Sequence, residues 1–348
     1  MKRKEVKKVK IGILGLGVVG SELVEQIRHN TQRMEVEYGI RFVIKKVFVK
    51  NISKKRTIDT SDLFLTSNAS DIINDSEISV ICECLGGNGF CETKNIVLDC
   101  LNQGKHVIMS SKKALAHHAE YFIDAANNNK VFLKYDATVG GGIPIGKVLE
   151  NAFKGDHITR ISGIFNATSN FVYTQMNDNG LAYAEALKIA QEKGYAENDP
   201  SEDVDGFDAA NKLVILSLFA AHTYIHPNRI IPVSFTSISK TDIEVAKKQG
   251  YTIKPIASVE LSEKGCKVSV GPKLVPSNGI LACTPYNYNT IILEGKNCGE
   301  LAFYGQGAGA APTASAMFDD LVSVCSDEES PKLIRFKKSN EIVHTLVA

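Results

Sequence analysis

Apolar positions along this chain follow two patterns, and the change from one to the other divides it. In the first part, short uninterrupted apolar runs alternate with segments whose apolar residues recur at helical spacing. The runs at 9–14, 42–49, 78–84, 106–109 and 131–135 predict strands, and the segments at 21–28 and 93–102 predict helices between them. Strands that are apolar throughout belong to a parallel sheet covered by helices on both faces. Beyond Pro144 the strand-length runs follow one another, at 160–166, 235–238, 256–261, 267–270 and 290–293. That succession predicts an α+β unit with a mostly antiparallel sheet. A glycine-rich stretch at 305–313 then opens an apolar helix at 314–324, and predicts a return of the chain to the first unit.

The first apolar run ends in Gly15-Leu16-Gly17-Val18-Val19-Gly20, and a helical pattern follows at once. A strand before such a turn and a helix after it give an otherwise weak motif its value. Gly15 permits the tight turn, Gly17 lets backbone approach a pyrophosphate, and Gly20 lets helix and strand meet closely. The helix N-terminus then offers free N–H groups and a positive dipole end to phosphates. An acid at the end of the second strand would bond a ribose 2′-hydroxyl and select NAD. Here Lys50-Asn51 is followed by Lys54, Lys55 and Arg56, with no acid. This cationic loop either receives a 2′-phosphate, so that NADP is preferred over NAD, or is simply solvated.

The third strand ends at Leu85-Gly86-Gly87, the fourth at Ser110-Ser111-Lys112-Lys113, and the fifth leads into Asp136 and three successive glycines at 140–142. Loops at the C-terminal ends of strands are where open α/β sheets bind ligands. The pattern therefore predicts an α/β chain: a Rossmann-type nucleotide-binding domain at 1–136 and a second, α+β domain at 137–301. A return segment at 302–348 is expected on the first domain.

Acidic residues are densest at 190–220, AQEKGYAENDPSEDVDGFDAANKLVILSLFA. Asp199, Pro200 and Glu202 read as a helix start with a cap, a proline at the first position and a capping-box acid. If that helix runs on, Asp208 and Lys212 share one face at i, i+4. Nearly every residue from 213 to 220 is apolar, which predicts a buried helix. The pair is either an ordinary surface ion pair or a buried one, and burial would be costly enough to point to chemistry.

Composition narrows the classes without choosing among them. A net charge of +1 over 348 residues gives no electrostatic footprint for nucleic acid or an acidic membrane. No apolar run approaches the roughly 18 residues of a membrane-spanning helix. The eight cysteines form no CxxC pair and have no histidine pair at zinc spacing, so they point to a reducing, cytoplasmic setting.

Taken together, these motifs resemble the homoserine dehydrogenase family over roughly 10–326. The motifs are GLGVVG at 15–20, SSKKALA at 110–116, DATVGGGIPI at 136–145, NATSN at 166–170, GYAENDPSEDVDGFDAANKL at 194–213 and GQGAGAAPTASA at 305–316. The resemblance implies NAD(P)H-dependent interconversion of L-aspartate 4-semialdehyde and L-homoserine. It implies Lys212 as proton donor, Asp208 as its catalytic partner, and Lys112 in contact with cofactor and substrate. Glu197 and Asp203 match substrate-binding acids, suited to the substrate ammonium. Asn166 and Thr168 offer donors to its carboxylate. Gly309 matches a late cofactor-contacting glycine, beside Lys50 and Gly86. A sodium site would be built from Asp136, Val139, Gly141 and Ile143, mainly through carbonyls. A homodimer or homotetramer assembled through the antiparallel sheet is implied as well.

Several positions depart from the family pattern. Met109 and Ser111 stand where threonine and asparagine are common, Asp136 where glutamate is usual, and Ala167 where glycine is usual. Ala167 is expected to crowd a close backbone approach or forbid a positive φ. The length implies a short, monofunctional form without an amino-acid-sensing domain. A related oxidoreductase on another amino-acid aldehyde, and a non-catalytic NADP-binding homologue, are the competing readings. A phosphorylating semialdehyde dehydrogenase is disfavoured, because no cysteine stands in a nucleophile context.

Overall fold

A computed structural model describes residues 6–87, 89–263, 265–326, 331, 334–339 and 342–344. The chain divides into two compact units, Met1–Thr138 with Gly309–Arg335, and Val139–Ala308 with Phe336–Ala348.

The first unit opens with β1 (Lys7–Leu14), α1 (Val18–Arg33), β2 (Ile40–Phe48), β3 (Leu65–Thr66), α2 (Ser70–Ile73) and β4 (Val80–Glu83). It continues with α3 (Phe90–Asn102), β5 (His106–Met109), α4 (Lys112–Asn129) and β6 (Leu133–Lys134). All six strands pair in parallel, in the order β3-β2-β1-β4-β5-β6. This is the doubly wound order, with the strand sequence reversing beside β1. Its central strands are apolar because both faces are covered: Ile11, Ile13, Ile81 and Ile108 are all fully buried.

The second unit carries α5 (Ile145–Ala152), β7 (Ile158–Ile164), α6 (Ala167–Asn179), α7 (Tyr183–Glu192), α8 (Ser201–Val204) and α9 (Phe207–Ala221). After these come β8 (Thr223–Tyr224), α10 (Lys240–Lys248), β9 (Tyr251–Leu261), β10 (Cys266–Pro276), β11 (Tyr288–Gly295) and β12 (Gly299–Gln306). The chain then gives α11 (Ala310–Ser326) to the first unit, and β13 (Lys337–Lys338) and β14 (Ile342–His344) to the second. The second unit's sheet has the order β12-β11-β7-β9-β10-β14 and is antiparallel except at β10–β14.

Three features differ from the pattern-based expectation. Residues 235–238 are not a strand; Phe235–Ser237 is a 3-10 turn in which Ser234 Oγ accepts from Thr236 N–H. Such local side-chain bonds offer serine-rich backbone an alternative to a ladder. Residues 299–306, absent from the expected strands, are an edge strand hydrogen-bonded to β11 in register, and they take in the first two residues of the glycine-rich stretch. Consequently the segment that returns to the first unit is Gly309–Arg335, rather than 302–348. The return has a packing cause: Ala314, Met317, Phe318 and Leu321 of α11 are buried in the core around β1 and α1, with Phe318 edge-on to Phe42.

Candidate active site

In the first unit, the turn between β1 and α1 shows why each glycine is needed. Gly15 has φ +100°, and a Cβ there would lie 2.5 Å from the Cys84 carbonyl oxygen. At Gly20 a Cβ would lie 2.1 Å from the Gly15 carbonyl oxygen, so only glycine lets helix and turn meet. Gly17 differs: a Cβ there would meet nothing within 4 Å, so open space faces the backbone. It is the N-cap of α1, with no side-chain cap, and no acid follows in the first turn. The first-turn N–H groups are thus available to an anion, and the cradle fits a dinucleotide pyrophosphate. Leu16 is buried in the core, Val19 packs against it, and Val18 is exposed.

The neighbouring loops place the other expected cofactor residues. Lys50 Nζ pairs with Glu92 of α3 at 2.6 Å, so an acid does stand beside the cationic loop. The Arg56 guanidinium donates to the carbonyls of Asn51 and Lys54, both at 2.7 Å. Gly86 has φ +51° and open space around it, and Gly309 has φ +140° immediately before α11. Lys112 is the first residue of α4.

In the second unit, the acidic stretch forms two helices where one was expected. Asp199 Oδ1 accepts from Ser201 N–H at 3.2 Å, but the N-cap of α8 is Pro200, one residue later than expected, so the expected side-chain cap and capping box do not form. Gly206, at φ +82°, then breaks the path and serves as N-cap of α9. A Cβ at Gly206 would lie 2.9 Å from Pro232 Cβ, so the break is packed in place. Asp208 and Lys212 therefore fall on α9 alone, with exposures of 3% and 7%. Their ion pair spans 2.8 Å, and Lys212 Nζ also donates to the Phe165 carbonyl at 2.7 Å. Burial is the expensive outcome, and the lysine meets it with two oxygen partners.

Asn166 ties the acids together. Its Nδ2 donates to Asp203 Oδ1 at 2.7 Å and to Asp208 Oδ2 at 2.8 Å, while its Oδ1 caps α6 by accepting from Ser169 N–H at 2.8 Å. Thr168 Oγ1 donates to the Tyr195 carbonyl at 2.7 Å, which holds the loop bearing exposed Glu197 against α6. The structure thus brings Asn166, Thr168, Asp203, Asp208 and Lys212 into one bonded cluster, with Glu197 on the loop it anchors. Asn166 and Thr168 direct their donors to the protein's own oxygens. Ala167 is the first residue of α6 and is not among the non-glycine residues with positive φ, so the positive-φ conflict does not arise.

Burial, and then the nearby Asp208 charge, push the Asp203 carboxyl above its usual range, against bonds from Asn166 and Thr168. A carboxyl raised on folding stabilises the folded state fully below its unfolded pKa, and that contribution is lost as pH rises through the folded value. Asp203→Asn keeps the bond from Asn166 and removes the disfavoured charge. The variant is expected to melt no lower than the parent at pH 7, with no gain below pH about 3.8. Thermal scans at both pH values check this.

The residues expected around the glycine turn after β6 divide between the two units. In the first, Asp136 is buried and its N–H donates to Asp320 Oδ2 at 3.2 Å. In the second, Gly141 has φ +60°, and a Cβ there would lie 2.5 Å from the Gln306 carbonyl oxygen. The Ile143 carbonyl accepts from Ile145 N–H at 2.7 Å, and Val139 is buried. Among the described residues, no cluster of three His, Cys, Asp or Glu side chains could hold a metal ion.

Reading the residues alone missed two parts of these sites. One is the Phe165 carbonyl on Lys212, which no side-chain pattern announces. The other is Glu83, a fully buried acid at the end of β4. Its signal was present as a single acid within the apolar run VICEC.

A chain that holds one doubly wound unit with an open glycine turn, and another whose buried lysine is held by acids, is of the class of nicotinamide-dependent oxidoreductases. The family model described as homoserine dehydrogenase matches residues 144–322, and the one described as homoserine dehydrogenase, NAD binding domain, matches residues 15–136. The homoserine dehydrogenase of Bacillus subtilis is 36% identical over 319 residues, covering 92% of this chain and 73% of that protein. The homoserine dehydrogenase of Lactococcus lactis is 37% identical, covering 92% and 75%. Among solved structures, that of a homoserine dehydrogenase from Thiobacillus denitrificans superposes with TM-score 0.92 at 31% identity, covering 98% of this chain and 80% of that one. The chain belongs to the homoserine dehydrogenase family.

Proposed function

We propose that this chain catalyses the interconversion of L-aspartate 4-semialdehyde and L-homoserine, with NADP preferred over NAD. The observation that carries the reading is the buried Asp208–Lys212 pair, 2.8 Å apart, on the helix that follows the acidic loop. The nicotinamide, when bound, supplies the hydride. Reduction of the aldehyde places negative charge on its oxygen, and a positioned ammonium both stabilises that charge and gives the proton. Lys212 has that role, with Asp208 favouring its charged form and the Phe165 carbonyl aiming it. Lys112 is a second cation toward cofactor and substrate. Asp203 and Glu197 take the substrate ammonium, and Asn166 and Thr168 keep the acids and their loop in position.

The cofactor would be held by the turn Gly15, Leu16, Gly17, Val18, Val19 and Gly20, with Lys50, Gly86, Lys112 and Gly309 around it. NADP preference rests on the absence of an acid at the end of β2 and on Lys50, Lys54 and Lys55. A monovalent cation such as sodium would be held by Asp136 and the carbonyls of Val139, Gly141 and Ile143, an all-oxygen set that suits a hard cation. Self-association as a homodimer or homotetramer through the second sheet is part of the same reading. The exposed edge strand β12, with Leu301 and Tyr304 on its surface, supports it. A cytoplasmic location is in keeping with eight free cysteines, and no described helix is long and apolar enough to cross a membrane.

Initial rates of homoserine oxidation test the reading, measured in parallel with NADP and NAD and in sodium- and potassium-containing buffers. The expected result is turnover with both cofactors and a higher kcat/KM with NADP. Absence of turnover with either one, in either buffer, rejects the activity. A higher kcat/KM with NAD rejects the preference alone.

A further inference from the structure

Two strand-end loops of the first unit meet on one buried carboxylate. Glu83 closes β4 and has no exposed surface. Its Oε1 accepts from the Leu85 N–H at 2.7 Å and from the Ser111 hydroxyl at 2.6 Å, and its Oε2 accepts from the Ser111 N–H at 3.1 Å. The Ser111 hydroxyl in turn accepts from the Gly86 N–H at 3.3 Å. A chain of bonds therefore runs from the Gly86 backbone through Ser111 to Glu83. Ser111 stands at the N-cap of α4, yet its hydroxyl makes no capping bond. Serine at that position ordinarily caps; here the hydroxyl is turned to the carboxylate. Burial raises the Glu83 pKa, and the donors from Ser111 and Leu85 oppose that shift. A buried carboxylate is costly unless its oxygens are bonded, so this one holds its donors firmly.

We infer that Glu83 is a positioning residue for the cofactor side of the reaction: through Ser111 and Leu85 it holds the loop bearing Gly86 and the first residue of α4, Lys112, in one fixed arrangement. The inference rests on the proposed role of Gly86 and Lys112 at the nicotinamide cofactor. It also gives a function to Ser111, one of the departures from the family pattern, whose hydroxyl forms the link.

Glu83→Gln preserves volume but must turn its amide N–H groups toward at least one donor, either Ser111 N–H or Leu85 N–H. Ser111→Ala removes the hydroxyl, and with it the bond to Glu83 and the acceptor of the Gly86 N–H, but keeps the Leu85 and Ser111 N–H bonds to the carboxylate, so it stands in if Glu83→Gln fails to fold. Three readouts are taken on the full-length chain: NADPH dissociation constant by fluorescence, kcat and KM for homoserine, and amide hydrogen exchange of segments 84–87 and 110–112. Loss of one charge-assisted bond predicts about tenfold weaker NADPH binding and a comparable loss in kcat for Glu83→Gln. Faster exchange in both segments is expected with it. Ser111→Ala is expected to show the same pattern at smaller amplitude. The double variant should be no worse than Glu83→Gln, because the hydroxyl acts through the carboxylate. Faster exchange with unchanged NADPH binding and kcat overturns the positioning role and leaves a structural one. Unchanged exchange in both variants overturns the link itself. A parent protein that binds no NADPH, with exchange still faster in the variants, overturns the proposed cofactor site instead.

Discussion

Replacing Lys212 by alanine is expected to lower kcat for homoserine oxidation at least tenfold, and by as much as ~10²–10⁴-fold where a positioned general acid carries the step. NADPH affinity is expected to stay nearly unchanged, because the glycine turn and its flanking loops belong to the other unit. Alanine would leave Asp208 buried without its cation, and breaking a buried pair costs roughly 3–5 kcal/mol. Some loss of activity could therefore reflect unfolding. Lys212→Arg separates the two effects. Arginine keeps a cation beside Asp208 but does not release a proton in the working pH range. It is expected to retain most of the stability and still lose at least tenfold in kcat. Parent-like kcat in either folded variant would remove Lys212 from proton transfer. Thermal scans, fluorescence titration with NADPH and steady-state rates together distinguish the outcomes.

The second large effect sets two glycines of one turn against each other. Gly17→Ala is expected to leave the melting temperature unchanged, since its Cβ meets nothing within 4 Å and its φ is −85°. The methyl would stand where the pyrophosphate approaches, and the KM for NADPH should rise at least tenfold. Gly20→Ala is expected to do the reverse. Its Cβ would lie 2.1 Å from a backbone oxygen, so the turn or the helix must move. Overpacking of this kind costs about 1–3 kcal/mol or more, which is a fall of several degrees for a domain of this size. If Gly17→Ala binds NADPH like the parent, the turn is not the phosphate cradle. If Gly20→Ala melts like the parent, the close approach of turn and helix is not what requires glycine.

Much of the fold was legible because it rests on local chemistry. The parallel sheet follows from runs such as VKIGIL and SVICEC, which have no polar face. The turn at Gly15 and Gly20 follows from backbone conformations and contacts that only glycine tolerates. Elements whose character is set by distant partners were harder to read. Residues 235–238 have strand composition, yet a serine beside them closes a turn. Residues 299–306 run into the glycine-rich stretch and lie outside the expected strands, yet β11 pairs with them. Of the site, the spacing of Asp208 and Lys212 was visible as i, i+4. That they are buried, and that Gly206 isolates their helix from Asp199, required the packing of Pro232 against the glycine.

What the sequence determined by itself was therefore the class of each unit, the dinucleotide turn and the identity of the acid–lysine pair, because each depends on residues within one or two turns of chain. The tertiary structure alone decided which groups answer the buried charges. Asn166 reaches Asp203 and Asp208 across 37 and 42 residues, the Phe165 carbonyl reaches Lys212 across 47, and Glu83 reaches Ser111 across 28. A buried charge is stable only with partners at bonding distance, and those partners were supplied by folding, from parts of the chain that no local pattern connects.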